Sequence, residues 1–207
     1  TGPLPDYILL TPVFHQGRPI ACVGSVAHVS DVGGHPGEIE GEDVFSEGLR
    51  VPPSKLVMGG MENSLLFDVI GANTRAPNLL LGDLRAMIGA ARIGARGIVE
   101  FIESSGLDDL NELAERFLVV SEEHMRRRLR ELPSGEYRAS MEIDGYVDTV
   151  TLSVTVTIAD SEAHVDFTGT SPLSKQGAIN VPYGSTLATT IYPFKCALAP
   201  EIPNNEG

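Results

Sequence analysis

The chain has 207 residues, of which 42% are hydrophobic and 21% charged, a composition typical of a globular protein with a core of its own. Fifteen basic and 28 acidic residues give a formal net charge of −13, which would repel the phosphates of nucleic acid and an anionic membrane surface. No apolar run approaches the ~20 residues that a transmembrane helix needs. We therefore expect a cytoplasmic protein with no nucleic-acid or membrane partner.

Neither end of the chain carries the usual start or stop signals. It begins at Thr1 without a methionine, and it ends at Pro203–Gly207 with no helix cap or charged tail. We therefore expect residues 1–207 to be an internal fragment of a longer protein, forming one domain that is inactive alone.

The two cysteines, Cys22 and Cys196, lie far apart among apolar neighbours. Neither stands in the CxxC or Cys/His spacing that is typical of zinc sites. We expect two reduced and buried thiols.

The first elements in chain order are two strands, 7–14 and 19–29, joined by a turn at 15–18 in which Gly17 allows a positive φ. Their apolar runs are continuous, which predicts a hairpin covered on both faces. Residues 30–64 are rich in glycine, proline and acidic side chains. This composition predicts a long irregular segment, and such segments often carry function.

Two helices are predicted next. The first, 83–104, has Asp83 as its N-cap and ends before Gly106. The second, 108–132, has an apolar stripe, with acidic residues at its start and arginines at its end, as the helix dipole favours. The glycines inside the first helix predict the close approach of a neighbouring element; they are Gly89, Gly94 and Gly97.

A period of two then predicts an antiparallel meander with one buried face, over 137–143, 150–158 and 165–167. Asp144–Gly145 predicts a tight two-residue turn. A last apolar segment, 184–198, is predicted to be helical. The fold class is therefore α+β: an N-terminal hairpin and long loop, two central helices, an antiparallel meander and a C-terminal helical segment.

The first candidate site gathers Asp6, His28, Asp31 and His35. Folding the hairpin about its turn places Asp6 opposite the residue before His28 in a regular register, or opposite His28 itself if one strand carries a bulge. Only the bulged register puts both side chains on one face. Two carboxylates and two imidazoles can hold a divalent transition metal or perform acid–base chemistry. Turn caps and a core histidine fit the same spacing.

The second candidate site follows the last predicted strand. Asp166, Thr168 and Thr170 surround Gly169, and their carboxylate and hydroxyls are suited to line a substrate or phosphate pocket. Ordinary turn chemistry explains the same residues. The chain contains neither a P-loop nor a dinucleotide-binding GxGxxG motif.

The chain also carries short motifs spread over its whole length. In order they are Leu4-Pro5-Asp6, Ala27-His28-Val29-Ser30-Asp31, Glu47-Gly48-Leu49, Arg75-Ala76-Pro77, Gly82-Asp83-Leu84-Arg85, Val165–Ser171 and Ile202–Gly207. With these motifs the chain resembles the B-type subunit of the hydantoinase/5-oxoprolinase family, which includes N-methylhydantoinase B and the acetone and acetophenone carboxylase subunits.

The resemblance implies part of an ATP-dependent amidohydrolase. Its substrate would be a small cyclic amide, namely hydantoin, N-methylhydantoin, 5-oxoproline or a lactam, and a separate A-type partner subunit would hold the ATP. The same resemblance leaves two alternatives open. One is a subunit of an ATP-dependent ketone carboxylase that acts on acetone or acetophenone, and the other is a non-catalytic assembly subunit.

The resemblance also implies site residues. Carboxylase members hold a divalent metal through a His-x-x-Asp motif and a downstream His, which Asp6 and His28 match here. The implied catalytic residues are Asp6, His28 and Asp31, and the implied ligands of a Mn, Zn or Fe ion are Asp6 and His28. The motif His falls at Pro3, which cannot bind a metal. Asp31, His35 or water would then complete the site, or no metal binds.

Overall fold

The chain forms two compact units, over Gly2–Leu110 and Asn111–Gly207. The computed structural model describes residues 3–35, 43–174 and 179–206. Helices and antiparallel strands occur in both units, so the predicted α+β class is confirmed. The assignment of the whole chain to one domain stays a prediction, because two compact units can belong to one domain. In the described ranges no helix combines the length and the apolarity that crossing a bilayer requires.

The N-terminal unit begins with a long hairpin of β1 (Asp6–His15) and β2 (Arg18–His28). Both predicted strands are thus confirmed, and the turn between them uses positive φ at Gln16 (49°) and Gly17 (77°). The register shifts between Val13 and Phe14, where β2 contains one extra residue. This bulge brings the last pair of the ribbon into register.

One face of the hairpin packs on the long helix that follows, and the other is open. The side chains of Ile8, Leu10 and Val26 on the open face are 62%, 66% and 66% exposed. The prediction that both faces are covered is therefore wrong for the described residues, because a continuous apolar run does not reveal whether its outer face has a neighbour.

Cys22 in β2 and Cys196 are both exposed, so the predicted burial of the thiols is wrong as well.

The segment predicted to be irregular contains a small hairpin, β3 (Val57–Met58) and β4 (Met61–Glu62), and leads into α1 (Ser64–Ala72). The sequence analysis missed α1. Its start is marked by an N-cap, since the side chain of Asn63 accepts a hydrogen bond from Leu66 N at 3.3 Å. An asparagine directly before an apolar run was the available signal.

The central helix α2 (Pro77–Ser105) begins earlier than predicted. Proline occupies its first turn, where no amide hydrogen is needed, and Asp83 lies inside the helix instead of capping it. The helix ends as predicted at Gly106, whose φ is 65°. Its inner face forms the core of the unit together with α1 and the segment that follows β2; the buried members are Val29, Val32, Phe67, Ile70, Leu80, Leu84, Met87 and Ile88.

Only one of the three helix glycines has the close neighbour that the sequence predicted. A Cβ at Gly94 would lie 3.1 Å from a methyl carbon of Val23 in β2. At Gly89 and Gly97 nothing lies within 4 Å. Of these three positions, the hairpin therefore approaches α2 most closely at Gly94.

The C-terminal unit contains α3 (Asn111–Arg130), the meander β5 (Gly135–Ile143), β6 (Val150–Ala159) and β7 (Glu162–Asp166), and α4 (Tyr183–Leu198). The sheet order is β5-β6-β7 with antiparallel pairing, which confirms the predicted meander and the final helix. A small core joins Leu129, Ile158 and Leu198.

Two details of the predicted meander are wrong. The Asp144–Gly145 dipeptide does not form a two-residue turn, because β5 ends at Ile143 and β6 resumes only at Val150. All residues of β5 are exposed, so the buried face is confined to the Ile158 end of the sheet. The apolar stripe predicted for α3 includes Phe117, which is 52% exposed in the structure.

Candidate functional site

Asp6 and His28 lie together at the open end of the hairpin, although the sequence left open whether they share a face. Asp6 is the register partner of His28, and Asp6 Oδ1 lies 2.8 Å from His28 Nδ1. The bulged register is therefore the one that forms. The side chain of His28 is 67% exposed and that of Asp6 is 32% exposed, so the pair is accessible.

The carboxylate of Asp6 favours one tautomer of a neutral His28. An ionised carboxylate only accepts hydrogen bonds, so we assign the hydrogen on Nδ1 to the bond with Asp6. The lone pair of a neutral His28 then lies on Nε2, which has no partner in the part of the chain that the structure describes. An imidazole oriented by a carboxylate, with a free nitrogen facing solvent, is suited to accept a proton or to bind a metal.

Asp31 lies three residues beyond His28 but makes its contacts elsewhere. Its Oδ1 accepts hydrogen bonds from Arg75 Nη1 at 2.6 Å and Gly33 N at 3.2 Å. Its Oδ2 accepts from Thr74 Oγ1 at 2.9 Å and from the backbone N of Arg75. The Arg75 backbone hydrogen bond is the largest cause that lowers the pKa of Asp31 from 3.8 to about 2. These contacts give Asp31 a structural role, and its catalytic role stays a prediction.

Arg75 links the Asp31 side chain to the glycines that follow it in the chain. Its guanidinium also donates to the carbonyls of Gly33 at 3.1 Å and Gly34 at 3.2 Å. Gly33 forms a β-bridge with Gly48, and a Cβ at Gly34 would lie 2.2 Å from a backbone carbon of Glu47. Only glycine fits there. We call residues 31–34 and 47–49 the Gly33–Gly48 junction.

Neither Arg75 nor the glycines of the junction were assigned a role from sequence. The available signal was the pair of motifs, Gly33-Gly34 and Glu47-Gly48-Leu49, whose glycines have no helical or hairpin context. A cavity of about 640 Å³ opens beside the junction, with Phe45, Arg50 and Asn73 in its lining. Neither Asp6 nor His28 lines it.

The described residues around the pair do not complete a metal site. Across residues 3–35, 43–174 and 179–206, no group of three or more His, Cys, Asp or Glu side chains is placed to hold a metal ion. Asp31 and His35 therefore do not join Asp6 and His28. Zinc sites take at least three protein ligands, and Pro3 supplies none, so the described residues do not fit such a metal by themselves.

The second candidate site is tied into the meander. Asp166 Oδ1 accepts hydrogen bonds from Thr168 N at 2.8 Å and Thr168 Oγ1 at 2.7 Å, and the side-chain bond is the largest cause that lowers the pKa of Asp166. Thr170 Oγ1 accepts from Ser153 N and donates to Ser153 O, both at 3.0 Å. The two hydrogen bonds between Thr170 and Ser153 continue the hydrogen-bond ladder of β6 past Asp166, where β7 ends. Substrate binding by Asp166, Thr168 and Thr170 stays a prediction.

The family model described as Hydantoinase B/oxoprolinase matches residues 1–207. The chain belongs to this family. The resemblance seen in the sequence motifs is thereby confirmed for the whole chain.

Members of the Hydantoinase B/oxoprolinase family with named activities are similar to this chain. It is 37% identical over 199 residues to the B chain of a putative D-/L-hydantoinase from Pseudomonas sp. (strain NS671), covering 91% of this chain and 34% of the relative. It is 30% identical over 211 residues to the caprolactamase beta subunit of Pseudomonas jessenii, covering 98% of this chain and 36% of that protein. The chain thus spans about a third of the length of these relatives.

Two solved structures share the fold of this chain. The crystal structure of the ATP-dependent caprolactamase from Pseudomonas jessenii superimposes with a TM-score of 0.86 at 27% identity, covering 98% of this chain and 36% of that chain. A nucleotide-free acetone carboxylase structure superimposes with a TM-score of 0.79 at 20% identity, covering 98% and 29%. At that identity the second match shows the fold alone.

Proposed function

We propose that this chain is part of an ATP-dependent amidohydrolase that opens a small cyclic amide and works with an ATP-binding A-type partner subunit. The observation that carries the proposal is the accessible Asp6–His28 pair, with Nδ1 and Oδ1 2.8 Å apart. The similarity to a putative hydantoinase chain and to a caprolactamase beta subunit supports the substrate class.

The pair supplies the proton acceptor for hydrolysis. The partner subunit would use ATP to phosphorylate the oxygen of the cyclic amide, which makes the amide carbon more electrophilic. His28 Nε2 then accepts a proton from water as the water oxygen attacks that carbon, and the carboxylate of Asp6 stabilises the resulting imidazolium. The imidazolium returns the proton to the ring nitrogen as the C–N bond breaks, which opens the ring and leaves an acyl phosphate. A second water molecule then releases the phosphate and forms the product carboxylate. Such acid–base assistance typically contributes about 10² to 10⁴-fold to the rate.

The experiment replaces each member of the pair in the protein assembled with the subunits that co-purify with it. His28→Gln and Asp6→Asn are expected to lower kcat for ring opening by about 10²-fold or more, measured as ring-opened product by mass spectrometry and ADP by a coupled assay. His164→Gln, at an exposed strand position, is the matched control. Full activity of both pair variants would refute the proposed role.

The same proteins distinguish the alternatives. Product analysis with a ketone plus bicarbonate, run beside the cyclic amides, identifies a carboxylase. Co-purification of the partner with Asp6→Asn separates chemistry from assembly, since a catalytic role predicts lost turnover with the partner retained. Loss of the partner together with turnover would favour the assembly role.

A further inference from the structure

The Asp6–His28 pair occupies the part of the hairpin that is hardest to hold in register. It is the last pair of the ribbon, at the opposite end from the Gln16–Gly17 turn. Strand ends that lie far from a turn open with the lowest free energy unless something fixes them. A pair that must keep a 2.8 Å contact therefore needs an anchor beyond the ladder itself.

The described residues supply that anchor on the Asp6 side through Glu47. Glu47 Oε2 accepts a hydrogen bond from Leu4 N at 2.8 Å, across 43 residues of chain. The next residue, Pro5, is fully buried, and its carbonyl accepts a hydrogen bond from Val29 N at 2.9 Å. The segment before Asp6 and the segment after His28 are thus hydrogen-bonded to each other immediately beyond the pair.

Glu47 is itself held in place. It belongs to the Gly33–Gly48 junction, where Leu49 N donates to Val32 O at 2.7 Å. The other side of this junction carries the Asp31–Arg75 contact, which follows His28 closely in the chain. One junction therefore fixes the segment before Asp6 and the segment after His28.

We infer that Glu47 is a positioning residue for the Asp6–His28 pair, acting through Leu4 and Pro5. Its carboxylate keeps the backbone before Asp6 against the junction, so that Asp6 Oδ1 stays within reach of His28 Nδ1. The catalytic consequence rests on the proposed function, whereas the structural consequence does not. A carboxylate acceptor forms a stronger bond to a backbone amide than a neutral group does, which explains the residue type.

The test combines hydrogen–deuterium exchange with kinetics on the assembled protein. Glu47→Ala is expected to raise amide exchange about tenfold in peptides covering residues 4–10 and 24–30, while residues 150–158 exchange as before. It should lower kcat about tenfold and leave KM for the cyclic amide unchanged. Glu47→Gln keeps an acceptor oxygen and is expected to restore most of both effects. Glu100→Ala, at an exposed position of α2, is the control.

The outcomes separate this inference from the proposed function. Unchanged exchange at residues 4–10 and 24–30 in Glu47→Ala overturns the inference, as does raised exchange with an unchanged kcat when His28→Gln is inactive. If His28→Gln is fully active, the proposed function fails, and the exchange data alone decide whether Glu47 fixes the ribbon end. If Glu47→Ala also loses protection at 150–158 and has not folded, Glu47→Asp provides the same test, because its side chain is too short to reach Leu4 N.

Discussion

Replacing Tyr7 with phenylalanine is expected to raise the stability of the protein. The Tyr7 hydroxyl oxygen is buried and has no hydrogen-bond partner among the described residues, while the side chain packs against the core of the N-terminal unit. Burial also raises the pKa of Tyr7 above its ordinary value of 10.0, because the charged form would lose its hydration. The hydroxyl is therefore a cost to folding that phenylalanine does not carry.

The size of the effect follows from the unpaired hydroxyl. A buried polar group without a partner costs about 1–3 kcal/mol, and phenylalanine keeps the ring contacts. We expect Tyr7→Phe to increase the free energy of unfolding by about 1 kcal/mol, which corresponds to a rise in Tm of about 2–4 °C for a chain of this size.

Thermal unfolding followed by calorimetry measures this directly. Tyr183→Phe is the control, since Tyr183 is 80% exposed and its change is expected to stay within about 0.5 kcal/mol. A fall in Tm of about 2 °C or more for Tyr7→Phe would refute the reasoning. It would mean that the hydroxyl has a hydrogen-bond partner in solution.

Three further predictions concern the residues around the pair. Asp31→Asn is expected to make the free energy of unfolding fall less steeply as the pH is lowered from about 4 to about 2. The pKa of Asp31 is lowered from 3.8 to about 2, so its stabilising effect is complete above about pH 4 and is lost as the pH falls through about 2. Unfolding experiments across this range check it, and equal pH slopes would contradict it. Gly34→Ala is expected to destabilise by about 2 kcal/mol or more in denaturant titrations, because its Cβ would lie 2.2 Å from a backbone carbon, whereas Gly82→Ala, with nothing within 4 Å, should be neutral or stabilising. Pro3→His is expected to strengthen Mn²⁺ binding about tenfold or more in calorimetry by adding an imidazole ligand, and persistence of that gain after His28→Gln would show that the metal binds elsewhere.

The sequence predicted the hairpin well but could not choose its register. The two strands and their turn follow from apolar runs on either side of Gln16–Gly17. The bulge lies beside Pro19, which cannot donate a ladder hydrogen bond, and prolines in strands often mark such irregularities. That signal was present, yet the choice between registers depends on the packing of the whole ribbon on α2.

Helix boundaries and long-range contacts were predicted less well. The sequence analysis started α2 at Asp83, whereas the helix begins at Pro77, because Leu80 and Leu81, which lie before Asp83, pack into the core. Asp31 finds its partner Arg75 across 44 residues, and no spacing rule connects two such positions. Among the predicted site residues, Asp6 and His28 meet because they share a ribbon, whereas Asp31 and His35 lie beyond it.

The open face of the hairpin bears on the strength of the Asp6–His28 contact. Asp6 and His28 lie on the same side of the ribbon as Ile8, Leu10 and Val26, which are 62%, 66% and 66% exposed. Any apolar surface that settles on this side would strip water from the imidazole and the carboxylate at the same time. In drier surroundings the attraction between a carboxylate and an imidazolium grows several-fold, so an apolar cover over the ribbon would hold the two side chains together more tightly.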